Sequence, residues 1–375
     1  MAEGKPFIKC GELFDHTDAF DYNPQTEQLF IDAMNEALRW HANHCPDYRA
    51  FLAENGLVDF KQKYLSEQIP PLLVTLLKEF KLTSVPEKLA KLELVPSDSE
   101  GRKSQIFLDA RSYKRILKIV ESIFGSLGLV DHKTKSNYVC FTCDPQYSLS
   151  PATAFSDKLL TGLTAHRSVY YAIKPDKNSG EFSFDLETAA KKLIDFNNHP
   201  EPVRILGLPS YLWQVCEWLE KNEINLKLGS KSYIITGSGW EMHNVPGISR
   251  NTFNDRINKV LGIPKENIRS MFGIIEHGIP YVECECGRIH VPVYARAMCV
   301  DPETLFPVED GEEGLLHLMT PYISSYPSIS ILTTNKAVVE DNCPCGRSGK
   351  TLRIIGKSGQ AKSKGSAISA LELIK

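Results

Sequence analysis

The spacing of apolar residues predicts helices in the first part of the chain. Asn23 is a good helix N-cap and Pro24 a favourable first helical residue. The residues that follow place apolar side chains on one face at helical spacing, at Phe30, Met34, Ala37, Leu38 and His41. We therefore expect a largely helical region over residues 1–95, with more helix over residues 64–80 that Pro70 and Pro71 interrupt.

The middle of the chain alternates between two kinds of pattern. Short apolar runs that are typical of buried strands occur at residues 138–142, 204–208 and 232–236. Helical patterns occur between and after them, around Leu186, Ala189 and Leu193 and over residues 211–219 and 251–261. Strands separated by helices predict an α/β fold with a largely parallel sheet. We assign residues 96–280 to this core.

The pattern changes again from about residue 281. Short strand-like runs separated by turn residues follow, at residues 290–294, 314–319, 329–334 and 351–355. This predicts a small β-subdomain over residues 281–355. Residues 356–375 are rich in Gly, Ser and Lys, and we assign them to a basic hinge or tail.

Composition and charge narrow the class of protein. Apolar residues make up 42% of the 375 residues and charged residues 24%, as in ordinary globular proteins. The 43 basic and 46 acidic residues leave a net charge of −3, which gives no reason to expect nucleic acid or a membrane as partner. The chain shows no signal-peptide pattern and no apolar run long enough to span a bilayer. We expect a soluble, cytoplasmic protein.

Cysteines form the most specific chemical pattern. Four of the ten lie in two Cys-x-Cys pairs, Cys284 with Cys286 and Cys343 with Cys345, and His290 follows the first pair. Zinc prefers four Cys or His ligands in a tetrahedron, and four protein ligands leave no open position for catalysis. We favour Cys284, His290, Cys343 and Cys345 as ligands of a structural zinc ion, with Cys286 as a substitute. The alternative is a set of free surface cysteines beside turns.

Two turns rich in serine and glycine follow predicted strands. Residues 97–104 follow an apolar run at 92–95, and residues 237–240 read Gly-Ser-Gly-Trp after the strand at 232–236. Hydroxyl and backbone N–H groups in such turns bind phosphates, and small residues at a strand end let a flat ligand approach. A solvated turn is the alternative for the first, and a tight turn with a packed Trp240 for the second.

A carboxylate follows a further predicted strand. Glu276 comes just after Phe272-Gly273 and can hold Mg²⁺ beside phosphates, or it can simply face solvent. His277, directly after Glu276, is the histidine best placed to touch a bound ligand.

The order and spacing of these segments resemble the adenylate-forming superfamily of acyl-CoA synthetases. The likeness is greatest to the acyl-protein synthetase branch, the fatty-acid–protein ligases. It runs from about Asn23 to the C-terminus and is strongest from Gly237 onward. The related phenylacetate-CoA ligases carry a comparable Cys/His zinc site. The resemblance rests on five motifs, namely Cys284-Glu-x-Gly-Arg-x-His290-Val-Pro292, Asp301-Pro-Glu-Thr, Pro307-Val-x-Asp-Gly-Glu-x-Gly314, Ser325-Tyr-Pro327 and Cys343-Pro-Cys-Gly-Arg347.

This resemblance implies roles for the turn and strand-end residues. It implies ATP and Mg²⁺ as cofactors beside the structural zinc ion. Two residues are implied to be catalytic: Glu276 would contact Mg²⁺, and Lys357 would meet the ribose. The residues implied to bind the nucleotide are Ser97, Ser99, Gly101, Lys103, Gly237, Ser238, Gly239, Trp240, Phe272, Gly273 and Asn335.

The chain also departs from the family pattern. Asp98 and Glu100 stand in the phosphate loop where Gly and a hydroxyl residue are usual. A like-charge pair at about 4 Å costs roughly 4 kcal/mol at an effective dielectric constant of about 20, which Arg102 and Lys103 can offset. Asn335 replaces the usual ribose-binding aspartate. From the resemblance we expect the small lid domain to be absent or truncated to the tail.

The resemblance implies that the chain activates a fatty or aryl acid as acyl-AMP. The acyl group would then pass to a thiol on a partner, such as an acyl-CoA-reductase-like protein or an acyl carrier. The branch uses a cysteine near its C-terminus as acceptor, whereas this chain has none after Cys345. The alternative, motivated by Asp98, Glu100 and Asn335, is a catalytically degenerate fold that binds an acyl group or a partner protein.

Overall fold

The computed structural model describes residues 7–94, 106–147, 151–175, 182–237 and 248–357. These residues form two compact units. The first unit holds the described residues up to Ser126, together with Gly273–Tyr281 and the residues from His290 onward. The second unit holds Leu127–Phe272 and Val282–Ile289. The four-region division made from the sequence stays a prediction.

The first unit begins with helices, as the apolar pattern predicts. Its described helices are α1 (Ile8–Asp15), α2 (Pro24–His44), α3 (Pro46–Glu54), α4 (Leu76–Glu79) and α5 (Ala110–Ser126). The predicted start of α2 is confirmed, because the Asn23 side chain accepts hydrogen bonds from the backbone N–H groups of Gln25 and Thr26 at 2.9 and 3.0 Å. The predicted apolar face is confirmed as well, since all five of its side chains are buried.

A six-stranded sheet follows the helices among the described residues. Its strand order is β11-β15-β14-β13-β12, with β1 paired to β14. The strands are β1 (Leu72–Leu73), β11 (Ile289–His290), β12 (Arg296–Val300), β13 (Glu313–Met319), β14 (Ser330–Glu340) and β15 (Thr351–Lys357). Neighbours from β12 to β15 pair antiparallel. The strands predicted at residues 314–319, 329–334 and 351–355 are confirmed.

Two local predictions for this unit are wrong. Residues 64–80 contain a 3₁₀ turn (Ser66–Gln68), strand β1 and only the short helix α4. The Pro70-Pro71 pair favours extended backbone, and the buried β1 pairs in parallel with β14, Leu72 with Ile331. The strand predicted at residues 290–294 ends at His290, because Pro292 has no N–H to donate to a ladder.

A two-stranded antiparallel ribbon flanks the predicted phosphate loop. Strand β2 (Ala90–Leu94) pairs with β3 (Ile106–Asp109), and Leu94 lies opposite Ile106. Residues 95–105 lie outside the described part of the chain, and with them the loop residues Ser97, Ser99, Gly101 and Lys103 and the acidic Asp98 and Glu100.

The second unit has an α/β fold. Its sheet has seven strands among the described residues, in the order β10-β9-β8-β7-β4-β5-β6. The strands are β4 (Asp131–Cys143), β5 (Thr164–Pro175), β6 (Phe182–Phe184), β7 (Val203–Gly207), β8 (Tyr233–Gly237), β9 (Ile268–Phe272) and β10 (Tyr281–Val282). The five strands β5, β4, β7, β8 and β9 run parallel, whereas β6 pairs antiparallel with β5. The predicted parallel sheet is confirmed.

Helices connect these strands and cover the sheet. They are α6 (Pro151–Thr161), α7 (Leu186–Asn197), α8 (Pro209–Lys221) and α9 (Arg250–Leu261). One apolar cluster joins the helices to the strands, and Leu193, Leu212 and Ile257 are among its fully buried members. The three predicted helices in this region are therefore confirmed. None of the described helices combines the length and apolarity needed to cross a bilayer.

Candidate functional site

The carboxyl ends of β7, β8 and β9 meet at one edge of the second unit's sheet. Gly237 ends β8 and lies opposite Met271, next to Phe272 at the end of β9. A Cβ atom placed on Gly237 would meet no described atom within 4 Å, and Phe272 is 5% exposed. Ligands of open parallel sheets bind outside this edge. Ser238, Gly239 and Trp240, predicted to line the same pocket, lie outside the described residues.

The turn that carries Glu276 belongs to the first unit and is tightly held. The backbone N–H groups of His277 and Gly278 both donate to the carbonyl of Ile274, at 3.1 and 2.8 Å. The Tyr326 hydroxyl donates to the carbonyl of Glu276 at 3.0 Å. Glu276 is buried, and these hydrogen bonds fix the conformation of its backbone. Gly273, at the start of this turn, is exposed.

Glycine is required in this turn for two reasons. Gly278 has a φ of +78°, in the left-handed region that costs other residues about 1–2 kcal/mol. A Cβ atom at this position would also lie 2.4 Å from the Tyr322 hydroxyl oxygen. Close packing of the turn against Tyr322 thus excludes any side chain, and it adds to the rigidity of the Glu276 backbone.

His277 has a structural role in this turn and is not placed as a proton carrier. Its side chain is fully buried and its Nε2 lies 2.7 Å from the Tyr281 hydroxyl. Burial, followed by the nearby His317, lowers the pKa of His277 to about 3. The ring is therefore neutral near pH 7. A bound ligand would need an exposed side chain to contact, and His277 is buried, so its burial does not support the expectation that it touches a ligand.

The two residues predicted at the ribose are neighbours across two strands of the first unit. Asn335 on β14 lies directly opposite Lys357 on β15 in the antiparallel register. The register shifts at the next pair, between Lys336 and Ala337, and such β-bulges often lie beside functional sites. Asn335 is half-buried and Lys357 is exposed. The fold thus brings together an amide and an ammonium group from positions that are distant in sequence.

The predicted metal ligands also meet. One ligand atom from each of Cys284, His290, Cys343 and Cys345 lies within 4.8 Å of all the others. The sulfur of Cys345 is 3.3 Å from Nε2 of His290. Cys286 is exposed and is not part of this cluster. The structure therefore favours the first choice of ligands over the substitute.

Both Cys-x-Cys pairs are followed by the same kind of turn. Gly287 donates its N–H to the carbonyl of Cys284 at 3.0 Å, and Gly346 donates to the carbonyl of Cys343 at 3.1 Å. Both glycines have positive φ, +71° and +78°, a conformation that glycine adopts without strain. This geometry explains why each pair is followed by glycine.

The cluster has the size and chemistry that zinc requires. Zn–S bonds of about 2.3 Å and Zn–N bonds of about 2.1 Å in a tetrahedron separate the ligand atoms by roughly 3.4–3.8 Å. The 3.3 Å distance between Cys345 and His290, and the upper limit of 4.8 Å for all the ligand atoms, are compatible with this range. The ring of Phe20 packs against the His290 ring at a centroid distance of 5.3 Å, which holds the imidazole in place.

Asp157 is a buried carboxylate that the sequence patterns missed. Asp157 on α6 is 4% exposed, and its Oδ2 has no hydrogen-bond partner among the described residues. Burial raises the pKa of Asp157 to about 6. The sequence offered one signal for this burial: Asp157 lies three positions before Leu160, so on a helix the two side chains share a face. Shifted carboxylates of this kind are common at functional sites, although structural networks also produce them.

The chain matches known proteins over most of its length. Residues 11–374 match the family model described as "Acyl-protein synthetase, LuxE". A "Long-chain-fatty-acid--luciferin-component ligase" of Aliivibrio fischeri is 26% identical over 342 residues, which cover 91% of this chain and 87% of the relative. A protein of the same description from Vibrio harveyi is 23% identical over 350 residues, 92% of this chain and 88% of the relative.

Solved structures show the same fold. An open conformation of 2-hydroxyisobutyryl-CoA ligase, in complex with 2-HIB-AMP and CoA, superposes with a TM-score of 0.67. The superposition covers 90% of this chain and 76% of that chain, at 17% sequence identity. At this identity the likeness concerns the fold alone.

Proposed function

This chain belongs to the acyl-protein synthetase family of ligases, and we propose that it uses ATP to join a long-chain fatty acid to a thiol of a partner protein. The observation that carries the proposal is the family match over residues 11–374, which spans both units. The two relatives described as ligases of a long-chain fatty acid support the choice of acid.

In the first half-reaction, a carboxylate oxygen of the fatty acid attacks the α-phosphorus of ATP. A bond forms between that oxygen and the α-phosphorus, and the bond from the α-phosphorus to its bridging oxygen breaks. Pyrophosphate leaves with the bonding electrons, and acyl-AMP remains. The reaction needs little covalent help from the protein, so positioning and charge stabilisation would supply most of the catalysis.

Three groups of described residues support this step. The opposed Asn335 and Lys357 would bind the ribose hydroxyls through an amide and an ammonium group. Gly237 and Phe272 would border the adenine at the carboxyl edge of the parallel sheet. Glu276 would hold Mg²⁺, which offsets phosphate charge; a carboxylate oxygen on a rigid turn is a ligand type that Mg²⁺ accepts. The serine and glycine loop at residues 97–104 is proposed to bind the phosphates.

In the second half-reaction, the sulfur of a thiolate attacks the acyl carbonyl carbon. A C–S bond forms, the C–O bond to AMP breaks, and AMP leaves; the thiol proton passes to solvent. We place the accepting thiol on a partner, an acyl-CoA-reductase-like protein or an acyl carrier, since both relatives are described as ligases of a luciferin component. The four-ligand zinc site would act as a structural clamp, because four protein ligands leave no position for a substrate.

Acid-dependent exchange of labelled pyrophosphate into ATP tests the first step. We expect exchange with long-chain fatty acids and Mg²⁺, and Lys357→Ala should reduce it about tenfold or more through the loss of a charge-assisted hydrogen bond. Lys336→Ala is the matched control, because Lys336 is the neighbour of Asn335 on β14 and pairs with Glu313 at 3.0 Å.

Two results would contradict the proposal. Absence of exchange with every fatty acid, in a protein that unfolds cooperatively, would refute acid activation. Absence of ATP binding by calorimetry would favour the alternative of a fold that binds an acyl group or a partner without catalysis. Equal losses in Lys357→Ala and Lys336→Ala would refute the ribose-binding role of Lys357.

A further inference from the structure

A cleft of about 450 Å³ lies at the amino ends of the parallel strands in the second unit. Strands β4, β7, β8 and β9 begin there, at Asp131, Val203, Tyr233 and Ile268. We call it the basal cleft and define it by six polar residues of its lining, Asp131, Arg204, Lys231, Tyr233, Asn267 and Arg269. It is at the opposite end of these strands from Gly237 and Phe272, so it is separate from the edge used in the proposed reaction.

Arg204 is the central residue of the basal cleft. It lines the cleft although only 5% of its surface is exposed. Its guanidinium carbon lies 4.1 Å from the centre of the Tyr233 ring, and its Nη1 donates to the carbonyl of Lys231. The Tyr233 hydroxyl in turn donates to the carbonyl of Leu129 at 3.0 Å. The guanidinium is therefore held in one position by stacking and by hydrogen bonds.

The charge of Arg204 is incompletely compensated. Its Nε has no hydrogen-bond partner among the described residues. Burial lowers the pKa of Arg204, and this effect outweighs the opposing contributions of Tyr233, Tyr138 and Asp131. A buried guanidinium without a paired carboxylate is costly. A bound anion would compensate the charge of such a group, because a guanidinium fork fits the geometry of carboxylate and phosphate.

The rest of the lining is positive as well. Lys231 is exposed at the rim, and Arg269 is buried, with its guanidinium 3.7 Å from a carboxylate oxygen of Glu285. Asp131 is the one carboxylate in the lining, and it accepts backbone hydrogen bonds from Lys133 and Thr134 at 2.9 Å. The lining of the cleft thus carries three basic residues and one carboxylate, and Glu285, which pairs with Arg269, is not part of that lining.

We propose that the basal cleft is a second binding site, which takes the oxyanion group of a small phosphorylated or carboxylated molecule. The stacked guanidinium of Arg204 would bind the oxyanion from the floor and Lys231 would bind it from the rim. The volume lies within the range of small-molecule pockets. This site is separate from the ATP and acyl site of the proposed function and does not depend on that function.

Titration with inorganic phosphate, followed by isothermal calorimetry or ³¹P NMR, tests the site. We expect saturable binding to the wild-type chain and about 10- to 100-fold weaker binding to Lys231→Gln, the loss of one hydrogen bond from a charged group. Arg204→Gln should abolish binding. Lys227→Gln is the matched control, because Lys227 is exposed on the same loop but lines a neighbouring cleft; it should bind like the wild type.

A parallel titration with acetate separates the two sources of the oxyanion. Tighter binding of phosphate assigns the site to phosphorylated molecules, and tighter binding of acetate assigns it to carboxylates. If Arg204→Gln does not fold, Lys231→Gln alone decides. No saturable binding of either anion to the wild type, or equal binding to Lys231→Gln and Lys227→Gln, would overturn the proposal. Neither result bears on pyrophosphate exchange, so the two proposals fail independently.

Discussion

The two units of this chain differ in the kind of contact that stabilises each of them internally. In the second unit, strands and helices alternate along the sequence, and parallel neighbours such as β7 and β8 are separated by a single helix. In the first unit, the important contacts join distant segments. The indole of Trp40 donates to the carbonyl of Ser324, 284 residues later, at 2.9 Å, and β1 pairs with β14. Local patterns therefore describe the second unit well and the first unit only in part.

The comparison predicts that the first unit depends on its cross-links. Three of the four predicted metal ligands, His290, Cys343 and Cys345, belong to this unit. A metal ion bound to them would offset the entropy cost of bringing distant segments together. The second unit has a continuous apolar core between its helices and its sheet, so it has less need of such a clamp.

The largest expected effect is the loss of a metal ligand. Cys343→Ser should lower the free energy of unfolding by about 5 kcal/mol or more and remove bound zinc measured by mass spectrometry. Hydrogen exchange should rise first in β14 and β15 and later in β7 and β8. Cys286→Ser, which changes an exposed cysteine outside the cluster, is the control. Equal loss of protection in all four strands would contradict the contrast between the units.

A second substitution compares glycines of the two units. Gly278→Ala should cost about 3–4 kcal/mol, because it combines a left-handed φ of +78° with a Cβ 2.4 Å from the Tyr322 hydroxyl. Gly229→Ala, in the second unit, has a similar φ of +82° but no atom within 4 Å of the added Cβ. It should cost only about 1–2 kcal/mol. Chemical denaturation measures both, and equal costs would show that packing at Tyr322 can adjust.

Asp157 should make the second unit less stable as pH rises. Its pKa is about 6 in the folded protein against an ordinary value of 3.8, so folding favours the protonated form. The resulting stability is present in full below pH 3.8 and is lost as pH rises through 6, in total about 3 kcal/mol. Asp157→Asn should therefore stabilise the protein at pH 7 by up to about 3 kcal/mol and should have little effect at pH 4.

Denaturant unfolding at the two pH values measures this effect. Asp195→Asn, at an exposed position on α7, is the control and should change the stability little at either pH. A destabilised Asp157→Asn at pH 7 would mean that the carboxylate has a partner that compensates its charge.

The smallest expected effect is the loss of a helix N-cap, and its cost should be the same in both units. Asn23→Ala removes the cap of α2, and Asp185→Ala removes the cap of α7, where Asp185 accepts from the backbone of Thr188 at 3.0 Å. Each should cost about 1 kcal/mol, since capping is a local interaction. Equal values in urea denaturation would place the difference between the units in long-range contacts, and a much larger cost for Asn23→Ala would contradict this.

The sequence by itself determined the local elements and the chemistry of the cysteine turns. The cap at Asn23, the apolar face of α2, the helices α7 to α9 and the strands β4, β7 and β8 all follow from patterns within about ten residues. Such elements are predictable because spacing, capping and turn preferences act locally. The choice of Cys284, His290, Cys343 and Cys345 also rests on residue type and spacing.

Only the tertiary structure decided which distant residues meet. The opposition of Asn335 and Lys357 depends on the register of two strands, and the extended conformation at Leu72 depends on pairing with Ile331. The burial of Asp157 and the basal cleft around Arg204 likewise depend on how a helix and four strand ends pack. Register and burial depend on which segments pair and pack against each other in the whole fold, so a single segment of the chain does not determine them.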